Sequence, residues 1–189
     1  MKRMMILAAL FMAVGTSAYA QRRGGGGGGI YLGIGAMYDS TKATLDASTG
    51  DLEGKSTKTT LDADLGYVFS SGLYLGAAYI SSSNDTGASK PKDSAMGVGI
   101  GYMKNGFVGK LTYFLSGTVE DGNLEGSEGK GLGADIGYLF PVSSSFSLGA
   151  SIAYRDIKYD KIEINGAEVA DATLKSNTVS PRLLFAFTF

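Results

Sequence analysis

From Ile30 to its last residue the chain is written with a period of two, the signature of strands with two unlike faces. In "IYLGIGAMYD", Ile30, Leu32, Ile34, Ala36 and Tyr38 share one face, while Tyr31, Gly33, Gly35, Met37 and Asp39 share the other. In "TLDADLGYVF", Leu61, Ala63, Leu65, Tyr67 and Phe69 oppose Thr60, Asp62, Asp64, Gly66 and Val68. The pattern continues through "LYLGAAYI", "AMGVGIGYM", "FVGKLTYFL", "LGADIGYLF", "FSLGASIAYR" and "RLLFAFTF", which makes eight strands and an all-β fold.

The connections between these strands alternate in length. "SSG" at 70–72, "KNG" at 104–106 and "PVSSS" at 141–145 are short, and Asn105-Gly106 is a strong hairpin signal. Long polar stretches near 40–58, 81–93, 117–130 and 156–176 join the other pairs. One end of the molecule is therefore expected to be trimmed and the other elaborate. A second Asn-Gly pair in "INGAEV" leaves two readings of the last long connection, a mobile surface loop or a projecting hairpin with an exposed edge open to strand addition by a partner.

Alternation alone does not say which face points outward. Glycine does: Gly33, Gly35, Gly66, Gly76, Gly97, Gly99, Gly101, Gly133, Gly137 and Gly149 all fall on the less aliphatic face. The inside of an eight-stranded barrel is narrow enough to need small residues beside large ones, which puts this face in the lumen. Aromatic residues of the aliphatic face fall at strand ends. Tyr67, Phe69, Tyr102, Phe107, Tyr138, Phe140, Phe146, Phe187 and Phe189 mark the short-turn end, and Tyr38, Tyr79, Tyr113 and Tyr154 the long-loop end. Two aromatic girdles around an aliphatic band match a surface that meets two membrane interfaces. The charged residues Asp39, Asp62, Asp64, Lys110, Asp135, Arg155 and Arg182 lie on the glycine face. Facing lipid, a midplane Lys or Arg would cost about 2–4 kcal/mol. Facing inward, the seven can neutralise one another as a lumen charge network, either as packing or as a gate. The expected architecture is an eight-stranded antiparallel up-and-down transmembrane β-barrel over 30–189.

The front of the chain fits a secreted product. Lys2 and Arg3 precede an apolar run from Met4 to Val14, and "TSAYAQ" offers small residues at Ala18 and Ala20, so residues 1–20 read as a signal peptide removed after Ala20. Residues 21–29, "QRRGGGGGG", read as a flexible lead. With no strand before it and no Lys-Ser/Thr after it, this glycine run is no phosphate loop. The chain has no cysteine, which excludes disulfides and thiolate metal sites, and a net charge of −1 argues against nucleic acid as a partner.

The chain ends in "PRLLFAFTF", with Phe185, Phe187 and Phe189 at every second position. With this tail it resembles the small eight-stranded outer-membrane proteins of Gram-negative bacteria, the class of OmpX, OmpW and the membrane domain of OmpA. In that class a last strand ending in an aromatic residue is read by the barrel-assembly machinery as an insertion signal. Arg182, Phe187 and Phe189 match its polar, aromatic and terminal aromatic positions, and Leu184 stands where a glycine is usual. The resemblance implies a bacterial outer-membrane location, contact with outer-membrane lipid and lipopolysaccharide, and a monomer with both termini in the periplasm.

Enzymes of this class rely on a histidine, and the chain has none. Asp62 and Asp64 share a face, but two residues apart on one strand over a plugged lumen they make a poor acid–base pair. No enzyme and no cofactor is expected. In "EDGNLEGSEGKGL", Asp121, Asn123, Glu125 and Gly126 match the first half of a calcium loop, but Leu132 occupies the position that needs a bidentate Glu, so a solvated acidic loop is expected instead of a metal site. The expected function is that of a structural or surface-interaction protein acting through its extracellular loops, with a surface ligand as possible partner. The alternative is a narrow pore or apolar-solute conduit.

Overall fold

Strand pairs with strand in sequence order until the last meets the first. The computed structural model describes residues 28–46, 52–83 and 91–189. The expected signal peptide (1–20), most of the expected lead (21–27), and residues 47–51 and 84–90 of two connections lie outside them. The elements are β1 (Gly29–Asp46), β2 (Leu52–Val68), β3 (Leu73–Ser83), β4 (Lys92–Lys104), β5 (Phe107–Asp121), β6 (Leu124–Ser127), β7 (Lys130–Pro141), β8 (Phe146–Tyr159), β9 (Lys161–Ile164), β10 (Ala167–Glu168) and β11 (Thr173–Thr188). Among the described residues there is no helix.

Eight of these strands are staves of a closed antiparallel barrel. β1 to β5 pair in order, β5 pairs β7, β7 pairs β8, β8 pairs β11, and β11 returns to β1 with Leu32 opposite Phe187 and Ile34 opposite Phe185. Closure leaves no sheet edge within the wall. β1 opens at Gly29, the residue at which the lead was expected to end.

The outer face is the aliphatic one. Leu61, Leu111, Ile136 and Leu183 are each about 58–63% exposed, an apolar area far beyond what a soluble surface carries. The barrel is transmembrane. Tyr38, Tyr79, Tyr113 and Tyr154 stand exposed at the long-loop end, and Tyr67, Phe69, Tyr102, Phe107, Tyr138 and Phe140 at the other. At the short end, Asn105 and Gly106 both have positive φ, 54° and 84°, as a two-residue hairpin turn of matching twist requires.

The expected long connections shorten. Most of the 40–58 connection is strand: β1 and β2 stay paired up to Leu45 opposite Leu52. At 18 and 17 residues they far exceed the roughly 9–11 needed to cross a membrane. Beyond the girdle the outer face meets water, so both faces tolerate polar residues and the hydrophobic period fades while the ladder continues. The 117–130 and 156–176 connections hold the short strands β6, β9 and β10, and β5, β8 and β11 also extend into them.

A bulge redirects one of these extensions. The β4–β5 register shifts between Met96 and Gly97, which face Ser116 and Phe114, leaving Leu115 as the extra residue. Leu115 and Ser116 both face out, after which Gly117 is buried and Val119 half-buried. Bulges at barrel rims re-aim side chains in this way, and here the end of β5 bends across the mouth.

Candidate functional site

The lumen is filled in three layers. At the short-turn end Tyr31, Tyr74, Val108, Leu139, Leu184 and Ala186 form an apolar plug, with the rings of Tyr31 and Tyr74 edge to face at 5.5 Å. Glycine makes room for them: a β-carbon at Gly76 or Gly66 would strike the Tyr74 ring, and one at Gly33 the Tyr31 ring. Tyr31 lies on the face expected in the lumen, whereas Tyr74, and Phe114 higher up, escaped the sequence reading. They sit on the glycine-rich face, and the signal that marks them is a ring placed beside glycines on its own and neighbouring strands.

The middle layer is ionic, and all seven charged residues expected in the lumen lie in it. β2 contributes Asp62 and Asp64, β5 Lys110, β7 Asp135 and β11 Arg182. Lys110 Nζ donates to both oxygens of Asp64 at 2.6 and 2.7 Å and lies 3.3 Å from Asp135. The Arg182 guanidinium reaches Asp62 through Nε at 3.0 Å, Asp64 through Nη2 at 2.8 Å and Asp135 through Nη1 at 2.9 Å. Gly35 opens the wall beside them, since a β-carbon there would collide with the Asp62 carboxylate and the Arg182 Nε. Three carboxylates thus share two cations.

The other two residues form a separate station nearer the mouth. Arg155 Nη2 donates to Asp39 at 2.8 Å, and the hydroxyls of Thr60 and Ser180 donate to the same fully buried carboxylate. Between the two stations a chamber of about 20 Å3 touches Met37, Thr112, Arg155 and Arg182. That is room for about one water and not for a solute.

The third layer is an apolar lid. Ile80, Ala95, Phe114, Ile157, Tyr159, Ile162, Ala172 and Leu174 are buried together, with Val119, Leu124 and Val169 against them. The lid is a small sheet made by the two long connections: β6 folds back on the end of β5, β9 pairs β6, and β10 pairs β9. Of the two readings of this connection the hairpin is the one present, turning at Asn165-Gly166 with φ of 54° and 76°. Its expected open edge is not: β6 occupies one side of β9, and Asn165 N–H donates to the Asn123 carbonyl at 2.9 Å. An unpaired strand beside another unpaired strand satisfies its backbone by joining it, so only the two residues of β10 end the sheet.

The lid's register separates its faces. Val119, Leu124, Gly126, Ile162 and Ile164 are on the underside, whereas Glu120, Glu125, Glu163 and Glu168 stand directly opposite one another across four strands on top. Lys161 Nζ lies 2.9 Å from Glu163 and 3.7 Å from Glu168, and the Glu163 bond holds the lysine's pKa above its ordinary value. The calcium-like phrase lies here as a tight β-turn, Asp121 opposite Leu124, with Glu120 and Glu125 across the ladder instead of wrapped around a point.

In shape the barrel is similar to solved outer-membrane proteins. With Neisserial surface protein A it shares 16% identity at a TM-score of 0.49, covering 85% of this chain and 97% of that one. With AlkL the values are 11% and 0.49, over 90% and 94% of the chains. With OprG from Pseudomonas aeruginosa they are 13% and 0.47, over 86% and 96%. No protein-family model matches the chain, and neither does any curated protein sequence. These likenesses concern the fold alone.

Proposed function

We propose that the chain is a bacterial outer-membrane barrel that acts as a structural or surface-interaction protein through its extracellular loops. The observation that carries this reading is the stopper: an aromatic plug, an ionic layer and an apolar lid in series, the lid built from the same connections that would face the outside. What such a molecule offers its surroundings is the top of the lid sheet. In the same reading the signal peptide is removed after Ala20, and Phe185, Phe187 and Phe189 present the last strand to the assembly machinery. The chain serves as a mount without catalytic groups.

The alternative, a narrow pore or apolar-solute conduit, requires all three layers to part. Planar-bilayer recording of the refolded mature protein separates the two. We expect a heat-modifiable band on gels and no stepwise current. Discrete current steps that change when Lys110 or Arg182 is replaced would move the function into the lumen and overturn the proposal.

A further inference from the structure

The two arginines of the lumen are satisfied differently. Every guanidinium nitrogen of Arg182 meets a carboxylate: Nε donates to Asp62, Nη2 to Asp64 and Nη1 to Asp135. Arg155 donates through Nη2, to Asp39 at 2.8 Å and to the Met37 sulfur at 3.4 Å, while its buried Nε–H has no acceptor among the described residues. Arg155 is only 8% exposed, so bulk water does not reach that group. Leaving a buried donor unmet lowers a folding equilibrium constant by roughly 5- to 150-fold. Three other described side chains, Tyr74, Ser82 and Ser151, also bury a hydroxyl without a partner, but of the four only Arg155 borders the chamber between the ionic stations.

A glycine makes that chamber. Arg155, Gly133 and Thr112 stand directly opposite one another across β8, β7 and β5, so the middle position of the row has no side chain. Asp135 is the next inward residue of β7, and all four border the chamber. Its volume of about 20 Å3 exceeds the roughly 10–15 Å3 that one water needs and excludes a larger solute. Hydrogen bonding narrows the choice further. Arg155 Nε offers a proton. Asp135 Oδ2 has room to accept one: Oδ1 accepts from Arg182 at 2.9 Å, whereas Oδ2 has an ion-pair contact with Lys110 Nζ at 3.3 Å. A metal cation cannot accept from an N–H, and a simple anion cannot donate to a carboxylate. Water does both, and the Thr112 hydroxyl can give or take the remaining bond.

We propose that the chamber binds one ordered water, which accepts from Arg155 Nε–H, donates to Asp135 Oδ2 and shares a hydrogen bond with the Thr112 hydroxyl. The water makes the two ionic stations one network. A continuous path then runs from Thr60 and Ser180 through Asp39, Arg155, the water and Asp135 to Arg182, Asp62 and Asp64, tying β1, β2, β7, β8 and β11 together across the lumen. The inference rests on the closed barrel and not on what its loops bind.

The test is NMR of the isotope-labelled mature protein, refolded in detergent micelles at mildly acidic pH. Arg155 Nε–H is expected to show a cross-peak to water whose sign reverses between laboratory- and rotating-frame spectra, which separates lasting contact from proton exchange. Thr112→Val keeps the shape and removes the hydroxyl through which exchange could relay the signal, so the peak should persist. Gly133→Ala should abolish it by placing a methyl in the chamber, where a β-carbon meets the Phe114 ring edge at 3.0 Å and nothing else nearer than 3.5 Å. The folding equilibrium constant of Gly133→Ala, from urea titration, should fall about tenfold, because the displaced water leaves Nε–H unmet. In a dry chamber the same methyl would fill a void and restrict the unfolded chain, and the variant would be more stable than wild type. A missing peak in the wild type, its loss in Thr112→Val, its survival in Gly133→Ala, or a stabilised Gly133→Ala would each overturn the proposal. If Gly133→Ala gives no heat-modifiable band, the wild type and Thr112→Val still decide it.

Discussion

Replacing Arg182 with Met tests the charge bookkeeping of the middle layer. In the wild type, Asp62, Asp64 and Asp135 face Lys110 and Arg182, and the Arg182 side chain is 2% exposed. Removing the guanidinium strands Asp62, whose ion pair it supplies, while Asp64 and Asp135 keep Lys110. Breaking a buried pair by deleting one partner costs about 3–5 kcal/mol, because the remaining charge is buried and uncompensated. We expect about 4 kcal/mol, dominated by Asp62. Asp62→Asn is the contrasting change. It leaves two carboxylates against two cations and keeps an oxygen for Arg182 Nε to donate to, so it should cost no more than about 1 kcal/mol. In the double variant the Arg182→Met penalty should fall by about 2 kcal/mol or more, a coupling typical of residues in one network. The chain has no tryptophan, so unfolding is best followed by the heat-modifiable gel band against urea in lipid vesicles. An Arg182→Met variant within about 1 kcal/mol of wild type, or additive behaviour of the two changes, would refute the reasoning, since either would mean that these carboxylates are not held by the guanidinium.

Three further outcomes follow from particular contacts. Gly35→Ala should destabilise the barrel by about 1–3 kcal/mol, since the new methyl displaces the Asp62–Arg182 pair, whereas alanine at outward Gly109, whose β-carbon would meet only the ring edge of Phe107 at 3.1 Å, should cost far less in the same urea titration. Glu125→Gln should stabilise the lid by roughly 0.2–1 kcal/mol by relieving repulsion from Glu120 and Glu163, visible as slower proteolysis of the lid hairpins. The Asp160 carboxyl, held below its usual pKa by the hydrogen bond from Lys158, should titrate below the ordinary carboxylate range by NMR and return to it in Lys158→Gln. Because its folded value is depressed, any stability it lends is present at neutral pH and lost as the pH falls through that value.

The parity of the strands was legible in the sequence because lipid on one side and a narrow lumen on the other impose opposite demands on alternate residues. Asp62 and Asp64 announced their face by being charged within an otherwise aliphatic strand, and the structure puts both on the lumen side beside Lys110 and Arg182. The pairing among the seven charges was not legible, since it depends on the stagger of strands around the barrel, and stagger leaves no mark on any one strand. Thus Asp39 finds Arg155, 116 residues away, while Asp135 finds Arg182. Strand ends beyond the girdles were misjudged for a related reason: once water bathes the outer face, Lys42, Thr44 and Asp46 can extend a ladder as well as any valine.

The lid shows the same limit from the other side, and it bears on function. Asn165-Gly166 marked one hairpin because the turn demands positive φ, yet nothing in "LEGS" marks β6 as its partner. That pairing follows from the bulge at Leu115, which turns β5 inward and brings Val119 over the mouth. The lid's underside, with Val119, Leu124, Ile162 and Val169, packs on Phe114, Ile157 and Tyr159 of the lumen. Tyr159 in turn lies against Gly117, Gly126 and Gly129, where a β-carbon would meet its ring or side chain. The long loops are therefore continuous with the barrel core. A partner bound on top of the lid would bear on a surface whose other face seals the lumen, so opening the lumen and remodelling that surface are one event.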